Sequence, residues 1–266
     1  MTPEFAWSGK RAAMIVAHPG HELRVFHWLE LARPDTLVLT DGSGRTGTSR
    51  MCSTMRILNS VGSKTGPVFG RFTDCEIYDE ILAGNSIVFL ELLEEVANWL
   101  VTEQIDYVAG DALEGYNATH DICRYIIGAA CELGGRRLGR TITNFDFLLT
   151  GPPDSCPVDL QSPAICIRLD DAALERKLAA ATGYCELRQE MELALNQFGK
   201  NAFATEWLRP VKNRAGLNPA LEPMRYYETY GERQRIAGHY QRVIRWREHL
   251  LPLVRTLWTR LDESGD

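Results

Sequence analysis

Short apolar runs alternate with amphipathic stretches along most of this chain. Strand-like runs fall at 12–17, 36–40, 66–69, 106–110, 144–149 and 164–169. Helical periodicity falls at 22–32, 49–61, 86–102, 120–133 and 171–198. Strand and helix alternating in this way predict an α/β fold, a Rossmann-like and mostly parallel sheet with helices on both faces. Gly134-Gly135 is expected to end one helix. Asp170-Asp171 favours the start of another through the helix dipole. Pro152, Pro153 and Pro157 mark a loop before the last strand, and no internal repeat interrupts the pattern.

The alternation breaks at Gly199. Loop chemistry extends to Pro223, with Pro210, Gly216 and Pro219 on the way. Residues 232–261 then read as one long helix, or two broken at Pro252, with Ile236, Tyr240, Val243, Leu250, Leu253 and Leu257 on an apolar stripe. Two units are therefore expected: an α/β domain over 1–198, and a loop and helical extension over 199–266. The extension would pack on that domain or on a partner subunit of a homo-oligomer. Residues 232–262 carry seven arginines against Glu232, Glu248 and Asp262, a local balance of +4. That charge suits a docked amphipathic helix, or an anion-binding wall on which Tyr226, Tyr227 and Tyr230 stack against a sugar.

Composition sets limits. The 266 residues, 45% hydrophobic and 24% charged, suffice for one large core. A net charge of -6 argues against non-specific nucleic-acid binding, which depends on neutralising phosphates. Seven cysteines without a Cys-x-x-Cys pair indicate neither a disulfide framework nor a sulfur-ligated zinc. Cys123, Cys131 and Cys166 are expected as reduced core residues. Met1–Lys10 lacks a long apolar core, so no signal peptide is expected, and no run approaches a bilayer span. The expectation is a cytoplasmic protein with a small-molecule partner, no nucleic acid and no membrane.

Candidate chemistry gathers where strands end. Ala17-His18-Pro19-Gly20-His21-Glu22 comes directly after the first apolar run. About a hundred residues later, Tyr107–Asp111 leads through a glycine-punctuated loop to His120 at a helix start. In a doubly wound sheet these strands are neighbours across the topological switch, and their loops face each other. His18, His21 and His120 can then hold one zinc, or another divalent metal, with a position open for water. Of six histidines, His27, His239 and His249 fall inside helical stretches and read as structural.

At these residues the chain resembles the PIG-L / LmbE-like family of metal-dependent de-N-acetylases. The family hallmark is Ala-His-Pro-Asp-Asp-Glu after the first strand, matched by Ala17–Glu22 at four of six positions. Its second motif, His-Pro-Asp-His, is matched by Asn117–His120 at the final histidine. Leu39-Thr40-Asp41-Gly42, Arg50, Phe72-Thr73-Asp74 and Lys177–Tyr184 fit other family segments, so the likeness covers residues 10 to 190. The resemblance implies that His18, His21 and His120 bind the metal, and that Arg50 and Asp74 position a sugar-like substrate. It also implies that the family's general base corresponds to Gly20, its other histidine to Asn117 and that histidine's acid partner to Thr119.

The usual proton-transfer groups are thus replaced. Either another carboxylate stands in, with Asp41, Asp111 and Glu114 the nearest by topology and Asp41 the first choice, or the metal-bound water works without a side-chain base. Without one, hydrolysis would be slower by about 10²–10⁴-fold. Glu22, Asp121 and Asn117 are expected behind the imidazoles, orienting a ring or capping a helix. The expected function is zinc-dependent removal of an N-acyl group from an amino-sugar or related polar metabolite. The alternative is a ligand-binding or regulatory protein on the same fold. A competing motif, Gly42-x-Gly44-x-x-Gly47, comes after the second strand rather than the first. It lacks the acid about 20 residues on that a dinucleotide site needs, so it reads as an active-site loop. Its Arg45, with Arg50, would hold an anionic substrate group.

Overall fold

The computed structural model describes residues 7, 9–44, 47–214 and 225–263. Its strands are β1 (Ala12–Val16), β2 (Asp35–Thr40), β3 (Thr65–Phe72), β4 (Tyr107–Asp111), β5 (Thr143–Phe147), β6 (Ile165–Arg168) and β7 (Thr205–Pro210). They form one seven-stranded sheet in the order β3-β2-β1-β4-β5-β7-β6. The first five pair in parallel, and β7 runs antiparallel to both β5 and β6. β1 and β4 are neighbours, so the strand order reverses between them. The chain is a mostly parallel α/β sheet with helices on both faces.

Alternation along β1 divides the core. Ala13 and Ile15 face one layer with the helices α3 (Asp74–Ala83), α4 (Ser86–Thr102) and α5 (Ala118–Leu138). Ala12, Met14 and Val16 face the other, with α1 (Phe26–Ala32), α2 (Met51–Val61) and α7 (Asp171–Thr182). A helical turn, α6 (Val158–Gln161), lies in the proline-marked loop. Cys123 and Cys131 are buried on α5 as expected, whereas Cys166 on β6 is only half-buried. Among the described residues no helix is long and apolar enough to cross a membrane.

Several boundaries differ from the sequence expectation. Gly134 and Gly135 lie inside α5, which runs to Leu138 and ends on Gly139. They are needed for close approach: a Cβ on Gly135 would sit 2.9 Å from the Arg140 carbonyl oxygen, and one on Gly134 3.1 Å from Ile142 Cδ1. The expected helix 171–198 is two, α7 and α8 (Arg188–Phe198), because Tyr184 between them is buried and bonded to Thr54 and the Arg50 carbonyl. α3 falls outside the expected helices, although Thr73 and Glu76 form a reciprocal capping box at its start.

The segment after Gly199 departs most. Thr205–Pro210, expected as loop, is the strand β7 inside the sheet. The stretch read as helix 232–261 is instead α9 (Tyr226–Ile236), an irregular passage, one π turn over Trp246–Leu250, and α10 (Leu251–Glu263). Pro252 does not end the helix; it is the second residue of α10, directly after the π turn with which α10 is continuous. α10 packs Leu253, Val254, Leu257, Trp258 and Leu261 into the α4–α5 layer of the same chain. Gly216, Pro219 and Pro223 lie outside the described residues, as does Arg45.

Candidate metal centre

β1 and β4 end side by side at the carboxyl edge of the sheet. His18 and His21 lie just past β1, and His120 stands in the first turn of α5, the helix after β4. Their ring centres are 5.3 Å apart for His18 and His21, 4.9 Å for His18 and His120, and 4.6 Å for His21 and His120. A nitrogen about 2 Å from a zinc puts its ring centre roughly 3 Å from the ion, and tetrahedral angles then separate ring centres by about 5 Å. The rings therefore have the spacing that one shared ion requires. Among the described residues, no group of three or more His, Cys, Asp or Glu side chains is placed to hold a metal ion as it stands.

Two of the rings are held from behind by carboxylates. His18 Nδ1 lies 2.9 Å from Asp74 Oδ1 and 2.7 Å from Thr40 Oγ1. His21 Nδ1 lies 2.9 and 3.0 Å from the two oxygens of Asp111, which is fully buried. An ionised carboxylate brings no proton, so each Nδ1 must carry one, and in a neutral ring Nε2 then keeps its lone pair. The His18 Nε2 is buried with no hydrogen-bond partner, and so is the Nδ1 of His120. Buried polar atoms normally have partners, so two orphaned imidazole nitrogens beside a third ring fit a cation.

Electrostatics agree with neutral ligands. Burial lowers the His18 pKa against the opposing pull of Asp74. Burial, reinforced by His21 and His18, holds His120 well below its ordinary value. Burial would raise the Asp74 carboxyl, but hydrogen bonds from His18, Thr40 and the Gly44 amide keep it well below the usual carboxylate range.

The other expected residues surround this trio. Asp74 has both oxygens engaged, one by His18 and Thr40 and the other by the Gly44 amide at 2.6 Å. Asp41 accepts from the Ser43 amide at 2.9 Å, capping its own loop, and Arg50 reaches the same loop near Gly42 and Gly44. Glu114 is engaged by Leu149 and Thr150 after β5. Glu22 is buried, accepting from the Gly20 amide at 2.7 Å and Thr54 Oγ1 at 2.6 Å, and so fixes the turn between the two histidines. Asn117 caps α5 through the Thr119 amide, and Asp121 holds Gly115 and Arg225. Gly20 has φ 101°, and a Cβ there would lie 2.2 Å from Leu187 Cδ1.

Sequence reasoning missed Thr40 as the second partner of His18. The signal was present in the register: Val16 pairs with Val38, so two residues further His18 meets Thr40. It placed Asp111 among three candidate bases without seeing that its oxygens meet His21 and the Ala17 amide, the latter at 2.8 Å.

No family model matches the chain, and no curated protein matches it. Among solved structures it is similar to the A40926 pseudoaglycone deacetylase Dbv21, at 16% identity and a TM-score of 0.49 over 77% of this chain and 99% of that one. It is also similar to the zinc-inhibited form of the teicoplanin deacetylase Orf2, at 12% identity and a TM-score of 0.49 over 76% and 97% of the two chains.

Proposed function

We propose that this chain is a divalent-metal-dependent amide hydrolase that removes an N-acyl group from an amino-sugar or a related polar metabolite, as the likeness of Ala17–Glu22 to the PIG-L / LmbE-like motif suggests. The observation that carries the reading is the trio of imidazoles with two carboxylates behind it. His18, His21 and His120 would hold the metal, zinc by the chemistry of an all-imidazole set. Such an ion supplies Lewis-acid polarisation of an amide carbonyl and of water.

The chain's own residues do the rest. Asp74 and Thr40 fix the His18 ring, and Asp111 fixes that of His21, so their Nε2 atoms keep one direction and one tautomer. Glu22 holds the intervening turn. Asp74 and Asp111 supply negative charge without occupying the ligand positions. Arg50 stands beside the loop that would border a polar substrate.

A second reading is favoured by one observation. Asp41, Asp111 and Glu114, the carboxylates nearest by topology, are all engaged elsewhere, and Leu187 fills the space beside Gly20. A binding protein on the same fold needs no proton acceptor there.

Zinc uptake by the purified chain, followed by release of free amine from N-acetylglucosamine and related N-acyl sugars, separates the two. Wild type is expected to take up zinc and hydrolyse at least one of them, and His120→Ala to lose both properties. Zinc uptake without turnover across the panel would favour the binding protein. A chain that stays empty in excess zinc sinks the hydrolase reading.

A further inference from the structure

Two of the three imidazoles are steered by carboxylates, and the third is not. His18 and His21 each have an acid at Nδ1, whereas the Nδ1 of His120 has no hydrogen-bond partner. The direction of that ring therefore depends on the backbone that carries it. His120 stands in the first turn of α5, where helix amides lack partners within the helix. The Asn117 side chain satisfies only one of them, that of Thr119. The rest of the turn must be held from outside the helix.

Arg225 holds it from the C-terminal segment. Its Nη1 donates to Asp121 Oδ2 at 2.9 Å, and Asp121 Oδ1 accepts from the Gly115 amide at 3.1 Å. Asp121 is fully buried, and Arg225 is buried as well. The guanidinium carbon lies 4.4 Å from the Trp246 ring centre, and that ring stacks on Tyr125 at 5.6 Å. Asp121 and Tyr125 are at helical i, i+4 positions, on one face of α5. Arg225 and Trp246 therefore grip the residue after His120 and the residue one turn beyond it. The loop before α5 is fitted to the same side chain: a Cβ on Gly115 would lie 2.7 Å from Arg225 Cδ.

Docking of the C-terminal segment does not by itself call for this pair. A buried ion pair commonly gives no more stability than well-packed apolar groups of the same volume. It gives direction instead, because a planar guanidinium between a carboxylate and an indole face has one orientation. A comparable clamp elsewhere on α5 supplies the contrast. Arg214 bonds Glu132 at 3.1 Å and Asp262 at 2.6 Å, with its guanidinium carbon 4.8 Å from the Trp258 ring centre. Arg214 is exposed, and Glu132 is about three turns along the helix from His120.

We infer that Arg225 is a positioning residue for the metal centre, setting the direction of the His120 ring through Asp121. The inference rests on the reading of the three imidazoles as ligands. It makes the C-terminal segment part of the site, although that segment contributes no ligand.

Ring resonances of the six histidines, in protein carrying isotope-labelled histidine, test this without metal. His120→Ala assigns the His120 signal. Arg225→Gln is expected to shift that signal, and Arg214→Gln to leave it in place. Arg225→Gln should also weaken zinc binding by about 10–100-fold in chelator competition, and should change the d–d absorption of the cobalt-loaded protein. Arg225→Lys keeps the charge without the planar face, so it should recover part of the loss. It is read in the same way should Arg225→Gln not fold. A His120 signal that ignores both Arg225 variants, or that moves equally in Arg214→Gln, overturns the inference. Zinc affinity in both variants within about twofold of wild type does so too. A wild type that takes up no zinc, while its His120 signal still depends on Arg225, would remove the metal reading and leave Arg225 as the residue that aims the ring.

Discussion

Asp111 touches two things at once: the Ala17 amide at the end of β1 and the ring of His21. Losing its charge would loosen both. Asp111→Asn is expected to weaken zinc binding by about 10–100-fold, read by competition with a chelator. Asp74 offers a sharper choice between two roles. With both oxygens committed to His18, Thr40 and Gly44, it acts as a positioning residue, so Asp74→Asn should lower zinc affinity. A raised KM at unchanged zinc affinity would return it to holding substrate, as the family resemblance implies. Gly20 is a third test at this scale. Gly20→Asp would put an L-residue at φ 101° with its Cβ against Leu187, and is expected to cost about 1–3 kcal/mol of stability. Denaturant unfolding measures it, and a gain of activity without that loss would refute the account of the turn.

At the scale of elements, the strands that carry the histidines were legible because buried parallel strands are continuous apolar runs. Ala12–Val16 and Tyr107–Asp111 stand out for that reason. His18, His21 and His120 were legible from their places just beyond those runs, because a sheet's switch point brings the two loops together. β7 was not. Thr205–Pro210 mixes Glu206, Arg209 and a proline with two apolar residues, and its polar members are stabilised only by remote partners. Glu206 is buried against Lys177 and the amides of His27 and Trp28, and Arg209 against Asp146. Asp111 and Asp74 were visible as acids but not as partners of rings, since pairing depends on contacts across more than thirty residues or across strands. α10 was legible as an apolar stripe but not as to what it covers. Leu257, buried between α4 and α5, gives the check: Leu257→Ala should cost about 2–5 kcal/mol in urea unfolding. A loss under about 0.5 kcal/mol would mean that the helix is not docked there.

For the molecule as a whole, the thiols report which surfaces stay closed. Cys52, Cys75 and Cys185 are exposed, whereas Cys123, Cys131 and Cys156 are buried. Burial pushes the Cys131 thiol up to about 12 and raises Cys123 well above its ordinary value. Alkylation needs the thiolate, so at about pH 8 the exposed thiols should react first, and raising the pH to about 9 should not open Cys123 or Cys131. Rapid modification of either, read by mass spectrometry, would show that the core opens under native conditions. The place of β7 has a consequence for synthesis. Among the described residues, β6 joins the sheet only through β7, a strand made much later. On the ribosome, the parallel half of the sheet can assemble while β6 waits without a neighbour, until Thr205–Pro210 emerges and slots between it and β5. A nascent chain stalled before that point would hold the edge of β5 open to association with other chains.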